Sequence, residues 1–197
     1  MKKLITVAVA LRVLCGTAAS QRHIEYKWRG PYFVVGAGYM MNLNRDAGLN
    51  GLADTLGATD ISFSAGFQFS KEAGVGMGVT YVADPNGAFT QMPVYLELRS
   101  HFMRSRLTPY SVLQMGYCLP LGSSSNSPRV SISEGGLYFG ISAGARYAID
   151  RGFAVALHVD YNMLQSQKVT RYDINNTPQI GDPITLQCVG GGLSLYF

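Results

Sequence analysis

The sequence predicts an all-β chain, an eight-stranded antiparallel transmembrane β-barrel with short periplasmic turns and long extracellular loops. Three observations predict it. Residue character alternates with period two in segments of about ten residues, the pattern of a strand that crosses a membrane. The connections between those segments alternate between short and long. Only 14% of residues are charged, against roughly 25% in ordinary soluble domains, too few to clothe a surface in water.

"MKK", "LITVAVAL" and "TAAS" are a basic start, an apolar core and a run of small residues, which predicts a signal peptide over residues 1–20, cut after Ser20. The apolar core is too short to span a bilayer, and Arg12 interrupts it. Cys15 raises the alternative of a lipid anchor, but Leu14 stands where a small residue is needed, so the ordinary signal is preferred. Removing Lys2, Lys3 and Arg12 takes the formal charge from +4 to +1, which argues against a nucleic-acid partner. Residues 21–30, "QRHIEYKWRG", are expected to be a periplasmic lead with Trp28 at the interface, and residues 31–197 the barrel.

Eight segments follow: "PYFVVGAGYMM", "TDISFSAGFQFS", "GVGMGVTYVA", "QMPVYLELRSHF", "TPYSVLQMGYCL", "GLYFGISAGARYAI", "FAVALHVDYNML" and "ITLQCVGGGLSLYF". None is an uninterrupted apolar run of about eighteen residues, so no helical span is expected. The short connections are "KEA", "MRSRL" and "DRG"; "DPNGAFT" is intermediate. The long ones are "NLNRDAGLNGLADTLGA", "PLGSSSNSPRVSISEG" and "QSQKVTRYDINNTPQIGDP". Antiparallel neighbours need only a few turn residues. With both ends of an even-stranded barrel in the periplasm, every short connection falls on that side.

The faces show which solvent each meets. Val75, Met77, Val79 and Tyr81 oppose Gly74, Gly76, Gly78 and Thr80; Val94, Leu96 and Leu98 oppose Tyr95, Glu97 and Arg99. Phe153, Val155, Leu157, Val159 and Tyr161 oppose Ala154, Ala156, His158, Asp160 and Asn162. A face of Gly, Ser and Ala with occasional charges is a poor outside and a good cramped lumen, so the bulky apolar face must meet lipid. An open sheet would leave unpaired backbone in hydrocarbon at several kcal/mol per group, so the sheet must close. Aromatic residues gather toward strand ends. Tyr32, Phe69, Phe102, Tyr110, Phe153 and Phe197 are expected at the periplasmic rim, and Tyr81, Phe89, Tyr117 and Tyr161 at the outer one.

The terminal "GLSLYF" resembles the closing strand of bacterial outer-membrane proteins. "TDISFSAGFQFS", "GVGMGVTYVA", "MPVYLELRSHF" and "RLTPYSVLQMGYCL" resemble the outer-membrane beta-barrel domain family common in Bacteroidetes, over essentially all of residues 31–197. The resemblance implies residence in the bacterial outer membrane, among its lipids and lipopolysaccharide. It also implies that Phe197 is the assembly signal read by the barrel assembly machinery. That family carries no single activity, so the resemblance implies no reaction.

Parity turns Glu97, Arg99, His101, Arg146, His158 and Asp160 into the lumen. An eight-stranded interior is just filled by side chains, and buried charges there must pair. Glu97 with Arg99 or Arg146, and His158 with Asp160, are the expected pairs. The active alternative makes His158 and Asp160 a base and its orienter for Ser142 or Ser194; a structural charge network is preferred. His23, His101 and His158 have no ligand spacing, so neither metal nor cofactor is expected. "DPNGAF" lacks the carboxylate series of a calcium loop. Cys118 and Cys188, three strands apart, are expected to be free. The long polar loops are the place for recognition. The expectation is a monomeric, non-enzymatic barrel with a structural role or a surface-recognition role through those loops. The alternatives are a narrow channel for small solutes and an enzyme acting on outer-leaflet lipid.

Overall fold

The structure, a computed structural model, describes residues 29–43, 57–70, 72–83, 90–103, 105–122, 130–150, 152–166, 168–172, 178–181 and 184–197. The expected signal peptide, the expected lead as far as Trp28, and Phe89 lie outside them; Gly30, expected in the lead, opens the first strand. Among the described residues eleven strands run in chain order: β1 (Gly30–Asn42), β2 (Ala58–Gln68), β3 (Gly74–Ala83), β4 (Thr90–His101), β5 (Leu107–Gly122), β6 (Val130–Glu134), β7 (Gly136–Ala148), β8 (Ala154–Ser166), β9 (Lys168–Tyr172), β10 (Pro178–Gly181) and β11 (Ile184–Tyr196). Eight of them form a closed barrel in the order β1-β11-β8-β7-β5-β4-β3-β2, every pair antiparallel. These are the eight segments read from the alternation.

Closure is made by the carboxyl-terminal strand. β1 and β11 pair from Val34↔Tyr196 to Asn42↔Cys188. Beyond the last ladder residue, Phe33 N donates to Phe197 O at 3.1 Å and Phe197 N to Phe33 O at 2.9 Å. The short turns close tightly at the same end: Phe69 N donates to Ala73 O at 2.9 Å, and Ile149 N to Phe153 O at 3.0 Å.

The outside is a belt of exposed apolar side chains, with Leu96 63% and Leu157 65% exposed and Phe63, Met77, Leu98, Met115, Ile141 and Val159 among their neighbours. Every barrel strand contributes to it, and an exposed apolar surface this extended marks an interaction with membrane or partner. A closed sheet has no edge, so its backbone groups are satisfied inside the ladder and the belt can meet hydrocarbon.

The inside departs from the small-residue lumen that parity suggested. Tyr32, Tyr95, Tyr110, Tyr138 and Tyr196 are all buried. Tyr32 and Tyr110 therefore belong to the lumen and not to the periplasmic girdle. The glycines opposite explain how the rings fit. A β-carbon at Gly78 would lie 2.6 Å from the Tyr95 ring, and one at Gly66 or Gly76 would lie 2.4 or 2.5 Å from the Tyr32 hydroxyl. The glycine face of β3 is thus the bed for the Tyr95 ring from β4 beside it and for the Tyr32 hydroxyl from β1, which reaches across β2. Gly78→Val is expected to cost about 1–3 kcal/mol through overpacking, against a strand-propensity gain on the order of 1 kcal/mol at most. The measurement is the urea unfolding midpoint in detergent; an unchanged midpoint would mean that Tyr95 does not occupy this bed.

The rings sort into two layers. Met40, Ala58, Val82, Tyr95, Cys118, Tyr138, Leu164, Leu186 and Cys188 cluster at the long-loop end. Tyr32, Val34, Tyr110, Val112, Ala148, Ala154, Ala156 and Tyr196 cluster at the short-turn end. Cys118 and Cys188 are both free thiols in the first layer, on strands three apart around the barrel.

Candidate functional site in the lumen and the loop sheet

Between the two layers lies the polar middle of the barrel. Alternate positions of β2, β7, β8 and β11 send Asp60, Ser62, Ser142, His158, Asp160, Asn162 and Ser194 onto a cavity of about 60 Å³, room for a few waters. His158 Nε2 lies 3.3 Å from Asp160 Oδ1, and His158 Nδ1 lies 3.3 Å from Ser194 Oγ. Ser142 hydrogen-bonds Asp160 from the next strand. The Tyr138 hydroxyl stands 2.8 Å from both Gln114 Oε1 and Asn162 Oδ1. Asp60, absent from the expected charge network, shares the face of Ser62 and Ser64, a parity legible in "TDISFS".

Towards the short-turn end the charges are denser. Glu97 is 1% and Arg99 5% exposed. Arg99 Nη2 donates to Glu97 Oε1 at 3.0 Å and to Oε2 at 3.2 Å, and the Tyr32 hydroxyl donates to Oε1 at 2.8 Å. Arg99 Nη1 donates to the Tyr196 hydroxyl. The Arg99 guanidinium lies 5.1 Å from the centre of the Tyr32 ring and 4.9 Å from that of Tyr196. Arg146 lies 5.1 Å from the same Tyr196 ring, and His101 is buried with its ring 6.0 Å from that of Tyr110. Of the two expected partners, Glu97 takes Arg99, its neighbour on the same face of β4, while Arg146 stacks on Tyr196. His158 and Asp160 meet, as β8 places them two residues apart. Sequence reasoning missed the tyrosines that knit these groups together. Tyr196 shares the parity of Ser194, which was the available signal.

The sequence Ser194–His158–Asp160 has the connectivity of a nucleophile, a base and an orienter. Its contacts, at 3.3 Å each, are longer than the roughly 2.7–2.9 Å of a charge-assisted bond. A cavity of about 60 Å³ between two packed layers is also small beside the roughly 300–1,000 Å³ of ligand sites. With Ser142 on β7, the arrangement ties three strands together.

No protein-family model matches this chain, and no curated protein matches it. Among solved structures, it is similar to the crystal structure of Neisserial surface protein A, at 12% identity and a TM-score of 0.62, over 85% of this chain and 96% of that one. It is similar to the outer membrane protein OprG from Pseudomonas aeruginosa, at 15% identity and a TM-score of 0.58, over 88% and 99%. It is also similar to the outer membrane protein AlkL in lipid bilayers, at 15% identity and a TM-score of 0.54, over 90% and 94%. The chain has the fold of the outer-membrane eight-stranded β-barrels. That fold and its apolar belt place it in the bacterial outer membrane, with the short turns periplasmic and the long loops extracellular.

On the extracellular side the outer-membrane barrel carries a second sheet, ordered β10-β9-β6. β6 lies in the segment "PLGSSSNSPRVSISEG" and β9 and β10 in "QSQKVTRYDINNTPQIGDP", both expected to be loops. β6 pairs with β9 from Val130↔Arg171 to Glu134↔Lys168, and β9 with β10 from Tyr172↔Pro178 to Val169↔Gly181. Strands of four or five residues are too short to show a period in a polar context, and only partners from a distant loop complete their ladders. Two long loops are thereby joined by backbone hydrogen bonds.

Proposed function

We propose that this chain is a monomeric, non-catalytic outer-membrane barrel whose lumen is a structural core, and which recognises surface partners through its extracellular loops. The observation that carries this reading is the pair of packed layers at the two ends of the lumen. Each is filled by buried tyrosines, with the small polar middle between them. A lumen so filled supports a core and works against a solute path; the small middle cavity works against the lipid-modifying alternative. Backbone ladders join two of the long loop segments, and recognition sites concentrate on loops carried by a rigid scaffold. Lipids and lipopolysaccharide would wet the belt. Phe197, 55% exposed and 5.4 Å from the Phe153 ring, would be the aromatic mark read by the barrel assembly machinery. Kinship with the beta-barrel domain family common in Bacteroidetes is part of the proposal and rests on the quoted segments.

Planar-bilayer recording of the refolded chain tests it. No current steps are expected, either from the whole chain or from a variant with residues 168–181 replaced by a short turn, because the seal is the two layers. Steady unitary conductance from the whole chain would overturn the reading. Conductance from the loop variant alone would move the seal to the loops.

A further inference from the structure

The first and last barrel strands meet along a seam floored by glycine. Gly38 of β1 pairs with Gly192 of β11, and the same register row carries Asp60 of β2 on one side and His158 of β8 on the other. One step towards the extracellular end, Gly190 of β11 pairs with Asp160 of β8. We propose that Asp60, His158 and Asp160 are a proton-operated clasp across this closure seam, holding while the cluster keeps its protons and loosening when they leave.

Three observations carry it. First, the three side chains lie over the glycines that separate them. A β-carbon at Gly38 would lie 2.6 Å from Asp60 Oδ1, one at Gly192 2.9 Å from His158 Nε2, and one at Gly190 3.1 Å from Asp160 Oδ2. Groups from β2 and β8 therefore converge above β1 and β11, on the polar cavity that all three line. Secondly, their charges balance only with protons. Asp160 has Ser142 and His158 beside it, whereas Asp60 Oδ1 is buried with no hydrogen-bond partner among the described residues. Two carboxylates at one site disfavour each other's charge, and one imidazole compensates only one of them. The neutral arrangement is an imidazolium, a carboxylate and a carboxylic acid, which holds protons that the unfolded chain has released by about pH 8. Thirdly, the rest of the cavity wall is neutral in this range. Its other titratable groups among the described residues are Tyr95, Glu97 and Arg99 of β4, Tyr110 of β5, Tyr138 of β7 and Tyr196 of β11; β1 and β3 present none there. Glu97 and Arg99 neutralise one another at 3.0 Å, and tyrosine hydroxyls ordinarily titrate near pH 10, about two units higher.

Interacting groups of this kind gain and lose protons as one unit. Because the folded cluster binds protons that the unfolded chain does not, stability falls as pH rises from about 6 to about 8. Release leaves two carboxylates facing each other over the seam, with nothing larger than glycine beneath them to hold the flanking strands in place.

The whole chain, refolded in phosphatidylcholine vesicles, is unfolded with urea at pH values from about 6 to about 8. Backbone amide exchange is followed over the same range. In wild type the unfolding equilibrium constant should rise with pH more steeply than in Asp60→Asn, by up to about tenfold per pH unit, the effect of one proton. Exchange along β1 and β11, corrected for base catalysis, should quicken with it, while exchange along β4 and β5 should not. Asp160→Asn should flatten the slope in the same way, and it decides the matter if Asp60→Asn does not fold. Native folding of each variant is checked by heat-dependent gel mobility. The proposal is overturned if either variant, natively folded, keeps the wild-type slope, or if the seam amides quicken no more with pH than those of β4 and β5.

Discussion

Glu97→Ala is expected to lower the unfolding free energy by about 3–5 kcal/mol, the loss that follows when one member of a buried ion pair is removed and its partner stays. Glu97 is the common acceptor of the periplasmic half of the lumen, taking two bonds from Arg99 and one from Tyr32. Without it, Arg99 keeps the Tyr196 hydroxyl and two aromatic faces, none of which carries a full negative charge. Glu97→Gln preserves the shape and one acceptor oxygen and should cost less. The double variant Glu97→Leu, Arg99→Met is expected to recover much of the loss, because replacing both charges removes the desolvation cost along with the attraction. Urea titration in lipid vesicles, followed by tyrosine and tryptophan fluorescence, reads all three. A loss below about 1 kcal/mol, the range of solvent-exposed pairs, would mean that water reaches this pair.

Leu96→Arg is the second large effect, and it tests the opposite face of the same strand. Leu96 sits midway along β4, between Met77 and Met115 on its neighbours, and is 63% exposed. At the bilayer midplane an arginine on the lipid face costs about 2–4 kcal/mol, falling to about 0–1 near the interface. Leu121→Arg, at the extracellular end of β5, should therefore be nearly silent. The difference between the two positions is the diagnostic quantity. Similar small losses at both would show that the belt meets water and not hydrocarbon.

How much of this was legible depends on the range of the interaction. Alternation in "GVGMGVTYVA" identifies a strand and its two faces without reference to any partner, since successive side chains point to opposite sides. The inward set of Glu97, Arg99, His101, Arg146, His158 and Asp160 was read that way. His158 with Asp160 and Glu97 with Arg99 follow too, because residues two apart on a strand share a face. The loop sheet was not legible. β6, β9 and β10 are stable only as partners of one another, and nothing in "KVTRY" names "VSISE" as its neighbour.

The tyrosines mark the boundary most clearly. Tyr32 and Tyr110 carry aromatic rings near strand ends, which fits an interfacial girdle as well as a plug, and parity had to decide. Once the barrel closes, Tyr32 reaches Glu97 across 65 residues of sequence and Arg99 reaches Tyr196 across 97. The sequence by itself determined the number of barrel strands, the lipid-facing side and the charged residues that turn inward, because those depend on dihedral geometry and on solvent. Only the tertiary structure decided which inward groups touch and how the lumen is shut. Those depend on which strands closure brings face to face, and on side chains from distant segments sharing one narrow interior.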